Sequence, residues 1–74
     1  MNQKKENWDW KLIEYFQAKN GKAYRLEYSQ QLKIGVAIGP FEGQCGFAEE
    51  ICRVPAESKE DARIKLEEKI NSEL

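Results

Sequence analysis

The chain has 74 residues, of which 41% are hydrophobic and 34% charged, and its formal net charge is −1. That length allows one small domain (residues 1–74), too little chain to build both a core and a deep catalytic cleft. The balanced charge gives no global field toward nucleic acid, and no apolar run approaches the ~20 residues of a membrane-spanning helix. Histidine is absent, which removes Ser-His, Cys-His and metal-His chemistry.

Residues 1–7 are polar, lead into no apolar signal region and read as a flexible tail on a cytoplasmic protein. A first helix is expected over residues 8–18. Asn7 suits an N-cap, and Asp9 falls in the first turn, where the helix dipole favours an acid. Leu12, Ile13 and Phe16 would share one helical face, flanked by Trp8 and Tyr15. Trp10 lies about 200° around the helix from Trp8, so both rings cannot be central to one core. Trp10 is therefore a candidate aromatic anchor for a protein partner.

Asn20-Gly21 reads as the C-cap of that helix. Ala23-Tyr24-Arg25-Leu26-Glu27-Tyr28 then alternates as a half-buried strand, with Tyr24, Leu26 and Tyr28 inward. Ser29-Gln30-Gln31 is a short polar connection, which predicts an antiparallel hairpin into the most β-like run of the chain, residues 32–40. Within that run Ile34, Val36 and Ile38 sit at period two. They are expected to form the face on which the other elements pack, with Pro40 ending the strand.

The glycines Gly43 and Gly46 read as a turn, since no Lys-Ser/Thr follows and the dinucleotide spacing is missing. A third strand is expected over residues 45–54, with a bulge near Glu49-Glu50 that reconciles its broken alternation. Cys45 and Cys52 in one strand would lie roughly 20 Å apart on opposite faces, so reduced thiols are expected rather than a disulfide. The last helix opens at Ser58 with Asp61 three residues on, in the capping-box arrangement. Ala62, Leu66 and Ile70 recur every four residues as its core stripe, with Ile64 beside it.

The expected fold is α+β: a two-layer α-β-β-β-α domain in which both helices pack on one face of a three-stranded antiparallel sheet. This order, with Leu12-Ile13-Glu14-Tyr15-Phe16-Gln17, Tyr24-Arg25-Leu26 and Ser58-Lys59-Glu60-Asp61-Ala62-Arg63, resembles the double-stranded RNA-binding domain. The resemblance implies a minor-groove contact at Glu14 and phosphate contacts at Lys59 and Arg63. The chain departs from the family in two places. The first strand connection is short and lacks the Gly-Pro-x-His motif, and Glu60 stands where the family carries the middle lysine of its basic triplet. Duplex RNA is held largely by phosphate contacts, so these departures weaken the implied RNA surface.

Neighbouring Glu49 and Glu50 would point to opposite faces of a strand, and nothing near Cys45 would lower its pKa. Catalytic, metal and cofactor sites are therefore not expected. The remaining reading is a non-catalytic binding module, an adaptor or stoichiometric inhibitor of the kind small phage and mobile-element proteins provide. It would contact another protein through Trp10, Phe41 and Phe47, either as a monomer or as a homodimer paired along a sheet edge. Binding of structured RNA through Glu14, Lys59 and Arg63 is the alternative.

Overall fold

The computed structural model describes residues 9–41 and 49–73. Among these, the chain forms four strands, β1 (Trp10–Gln17), β2 (Ala23–Ser29), β3 (Ile34–Phe41) and β4 (Glu49–Pro55), followed by one helix, α1 (Lys59–Glu73). The strands make one antiparallel sheet in the order β1-β2-β3-β4, and α1 lies on one of its faces. Two layers result, but with one helix and four strands rather than two helices and three.

The expected first helix is a strand. Trp10, Ile13, Tyr15 and Phe16 are side chains that fit a pleated surface well, and the strand that holds them pairs along β2 from Trp10↔Ser29 to Gln17↔Ala23. An irregularity between Leu12 and Glu14 inserts Ile13 as an extra residue. The bulge resets the alternation, so Leu12 and Tyr15 face one way while Glu14 and Phe16 face the other. Asn20-Gly21 caps no helix. The Gly21 N–H donates to the Ala18 carbonyl at 3.0 Å, and the Ala18 N–H to the Lys22 carbonyl at 2.9 Å. Gly21 takes φ +87°, so the segment is a three-residue hairpin loop built on a turn followed by a left-handed glycine. With β1 a strand, the element order implied by the RNA-binding resemblance is lost, and Leu12–Gln17 is not that family's first helix.

β2 carries the core as its alternation predicts: Tyr24, Leu26 and Tyr28 are buried beneath α1. The hairpin into β3 is present, closed by a 2.7 Å bond from the Lys33 N–H to the Ser29 carbonyl. β3 differs from expectation in two respects. It continues through Pro40 to Phe41, with Pro40 inside an irregularity of the β2–β3 register, where a proline is tolerated. Its Ile34, Val36 and Ile38 also face away from the helix. The register pairs Leu26 with Ala37 and Tyr28 with Gly35, so the small residues of β3 lie under α1 beside the large residues of β2. A Cβ added at Gly35 would stand 2.7 Å from the Ala62 Cβ and 3.2 Å from the Leu66 Cδ1. The helix therefore rests directly on the β3 backbone, and its depth is set by the missing side chain.

Val54 and Ala56 complete the covered face from the β4 side. The β4 bulge lies at Ile51, one residue beyond its expected place, since Glu50 pairs with Ile38 and Cys52 with Ala37. The start of α1 follows the sequence closely. The Asp61 N–H donates to the Ser58 Oγ at 3.1 Å, and the Asp61 carboxylate accepts from the Glu57 N–H at 3.1 Å, one residue further back than a strict capping box. Ala62, Leu66 and Ile70 are all buried. Among the described residues no helix is long and apolar enough to cross a membrane.

Candidate functional site

The uncovered face of the sheet carries most of the large exposed apolar side chains among the described residues, beside two arginine–glutamate pairs. The register arranges it in rows running across the strands. Trp10, Ser29, Ile34 and Pro55 form the first row, and Leu12, Glu27, Val36 and Arg53 the second. Tyr15, Arg25, Ile38 and Glu50 form the third, and Gln17, Ala23 and Phe41 the last. Tyr15 is 63% exposed, Leu12 47% and Phe41 37%. These three lie on the open face, whereas the remaining large exposed apolar side chain among the described residues, Ile64, lies on α1. Val36 is only 4% exposed and Ile34 and Ile38 are half-buried, so the middle of the face is already shielded from water.

Two ion pairs flank that apolar stripe. On β2, Arg25 Nε lies 2.7 Å from Glu27 Oε2. On β4, Arg53 makes a forked contact with Glu50 at 2.7 and 2.8 Å. The Tyr15 hydroxyl, and then Glu27, hold the Arg25 guanidinium firmly charged against the opposing effect of burial. Arg53 in turn lowers the pKa of Glu50. The charges form a checkerboard: Glu27 and Arg53 flank Val36 in one row, and Arg25 and Glu50 flank Ile38 in the next.

The sequence-predicted contact residues divide over this geometry. Trp10 and Phe41 both lie on the open face, at its opposite ends, with Trp10 half-buried. Phe47 lies outside the described residues, as do Trp8, Cys45 and the expected tail. The helical reading places Leu12 on the core face and Tyr15 on its flank, so sequence reasoning misses both as surface groups of a strand. The signal that could have found them is Asn20-Gly21, a strong hairpin marker when the runs on both sides suit strands.

The residues implied by the RNA resemblance do not form a basic patch. Glu14 points toward α1, where it meets Glu67. Hydrogen bonding to the Glu67 carboxyl, then burial and the charge of Glu67, raise the Glu14 pKa to about 7, and Arg63 opposes the rise. Glu14 Oε2 is itself buried. Burial beside a second carboxylate disfavours the charged form of Glu14. Arg63 is engaged by Glu60 and, at 3.4 Å, by Glu67. The cluster of Glu14, Glu60, Arg63 and Glu67 is therefore acidic, opposite to what a phosphate backbone requires.

Lys59 stands apart from that cluster, on a cleft of about 150 Å³ with Asp9, Lys11, Tyr28, Gln30 and Ser58. Ligand pockets typically run from ~300 Å³ upward. Two polar groups of this cleft already have partners within the protein: Asp9 accepts from the Ser29 hydroxyl at 2.7 Å, and the Tyr28 hydroxyl donates to the Ala56 carbonyl at 3.0 Å. A wider groove between β4 and α1, lined by Val54, Pro55, Lys65, Glu68, Lys69 and Ser72, is open to solvent.

Glu49 and Glu50 stand on opposite faces of β4, as their adjacency implies. Burial raises the pKa of the Cys52 thiol, against a smaller opposing effect of Lys69, which leaves it a poor nucleophile. Among the described residues no cluster of acids and cysteines could hold a metal ion. No protein-family model, characterised protein or solved structure matches the chain at a significant level.

Proposed function

We propose that this chain is a non-catalytic binding module that acts through protein–protein contact, with the open face of the sheet as its contact surface. The observation that carries the reading is the placement of Leu12, Tyr15 and Phe41. Three large apolar side chains share one uncovered sheet face, Leu12 and Tyr15 on its β1 edge beside the Arg25–Glu27 pair and Phe41 at the end of β3. Exposed apolar groups rimmed by charge mark a surface that gains by being covered. Tyrosine is enriched among the residues that dominate binding energy at protein interfaces. The partner this face fits is a protein surface that offers an apolar centre and charges alternating in sign around it.

The proposal is tested by comparing capture of partners by the wild-type chain, by Leu12→Ser/Tyr15→Ser and by Ile64→Ser. A specific partner retained by wild type and Ile64→Ser but lost by the double variant supports the assignment. Equal retention by all three overturns it. A parallel titration with a ~20-base-pair RNA duplex at low salt serves as the counter-test. Tight, steeply salt-dependent binding abolished by Lys59→Glu would replace the protein reading with a nucleic-acid one.

A further inference from the structure

We infer that the occupant of the open face is a second copy of this chain, packed sheet to sheet about a two-fold axis that runs across the strands, between the Leu12/Val36 row and the Tyr15/Ile38 row. This rests on the reading of that face as a protein-contact surface and names its partner.

The argument is charge complementarity. A two-fold axis lying in the interface and perpendicular to the strands keeps each strand over its own counterpart and exchanges the two central rows. Glu27 then faces Arg25 of the second copy and Arg25 faces its Glu27, while Arg53 and Glu50 exchange in the same way on β4. All four charged positions meet an opposite charge. Most apolar positions match as well: Val36 meets Ile38, Leu12 meets Tyr15, and Ile34 meets Phe41, while at the β1 edge Trp10 meets Gln17. An isologous contact requires a self-complementary surface of this kind. The checkerboard is present because each ion pair joins the two central rows, with opposite polarity on β2 and β4.

A two-fold axis parallel to β3 would also match the four charges, by placing β2 over β4. It would leave β1 beyond the edge of the second sheet, with Leu12 and Tyr15, the two most exposed apolar groups of the face, uncovered. The axis across the strands covers the whole face. It also sets the two sheets in the aligned packing common to β-sandwiches, where their twist leaves the strands about 30° apart.

Strand spacing of ~4.8 Å and a rise of ~3.3 Å per residue give four strands by four rows about 500 Å² of plan area per copy. That is at the small end of specific interfaces, so a dimer that dissociates in the micromolar range is expected.

Sedimentation equilibrium of the full chain from about 10 µM to about 1 mM tests the inference. Wild type and Ile64→Ser are expected to dimerise, and Leu12→Ser/Tyr15→Ser to remain monomeric. Arg25→Glu places like charges across the axis twice and is expected to weaken the dimer by about tenfold or more. Arg25→Glu/Glu27→Arg again sets opposite charges across the axis on β2, so its homodimer should recover. Mixed with wild type, this swapped chain should form no heterodimer, because its β2 charges then face their like. Circular dichroism of each monomer separates loss of association from loss of fold.

Wild type that remains monomeric to about 1 mM overturns self-association. Selective capture of a different protein would still uphold the face as a contact surface. A dimer indifferent to both Tyr15 and Arg25 overturns the face itself. A swapped chain that pairs freely with wild type overturns the orientation.

Discussion

The two faces of one sheet solve opposite problems, and β3 shows it within eight residues. Toward α1 it presents Gly35, Ala37 and Gly39; away from α1 it presents Ile34, Val36 and Ile38. The covered face gains stability by close approach. Small residues on β3 let Ala62 and Leu66 sit against the backbone while Tyr24, Leu26 and Tyr28 supply the bulk from β2. The open face keeps its bulky apolar groups between Arg25–Glu27 and Glu50–Arg53 and leaves Leu12 and Tyr15 in water. Apolar residues mark both faces, so hydrophobicity alone does not tell a core from a contact surface. Residue size and the register of the neighbouring strand make that distinction.

The comparison predicts unequal sensitivity to mutation. Leu66 is fully buried, and Leu66→Ala should cost about 2–5 kcal/mol. A domain of this size has only ~4–11 kcal/mol of stability in total, so urea unfolding should show a large loss or an unfolded chain. Gly35→Val should come next, at about 1–3 kcal/mol of overpacking. Its new Cβ would meet Ala62 at 2.7 Å, and a lowered urea midpoint with the sheet retained would show α1 displaced. Ser58→Ala removes the acceptor for the Asp61 N–H and should cost about 1 kcal/mol in the same assay.

The rim of the covered face adds a pH dependence. The folded-state pKa of Glu14 is raised to about 7 from an ordinary 4.5. Its stabilising contribution is therefore complete below about 4.5 and is lost as pH rises toward 7. Asp9, Glu50, Glu60 and Asp61 are shifted the other way, Asp9 by the Ser29 hydroxyl, Glu50 and Glu60 by their arginines and Asp61 by the Glu57 N–H. Their contributions are lost as the solution is acidified through the carboxylate range. Melting temperatures should therefore peak at mildly acidic pH. Glu14→Gln should remove the decline between about pH 4.5 and 7, the interval the Glu14 shift spans, and leave the acid limb in place. A decline unchanged in that variant would show that the carboxyl pair is not its source.

The smallest effect is expected on the open face. Tyr15→Ser should change monomer stability by no more than about 0.5 kcal/mol, because the ring is 63% exposed, while it abolishes the contact. A loss of stability comparable to that of Leu66→Ala would mean the two faces do not differ in the way described.

Much of the fold was legible in the amino-acid order wherever one short-range rule had no competitor. The strict alternation of Tyr24, Leu26 and Tyr28 gave a buried strand face. Ala62, Leu66 and Ile70 at intervals of four gave the buried stripe of α1, and Ser58 with Asp61 gave its start. Residues 10–17 were ambiguous because the Ile13 bulge breaks period two, which makes the run imitate a helical face. Asn20-Gly21 then served equally well as a helix cap or a hairpin turn. A small balanced domain without histidine was also fixed by composition. Which side of β3 would be covered was decided only by tertiary structure. Period two specifies that Ile34, Val36 and Ile38 share a face, but not which one. The register with β2 chose the side, because large side chains there leave room only for glycine and alanine beneath a helix. The contact surface proposed for this chain is the face that choice left open.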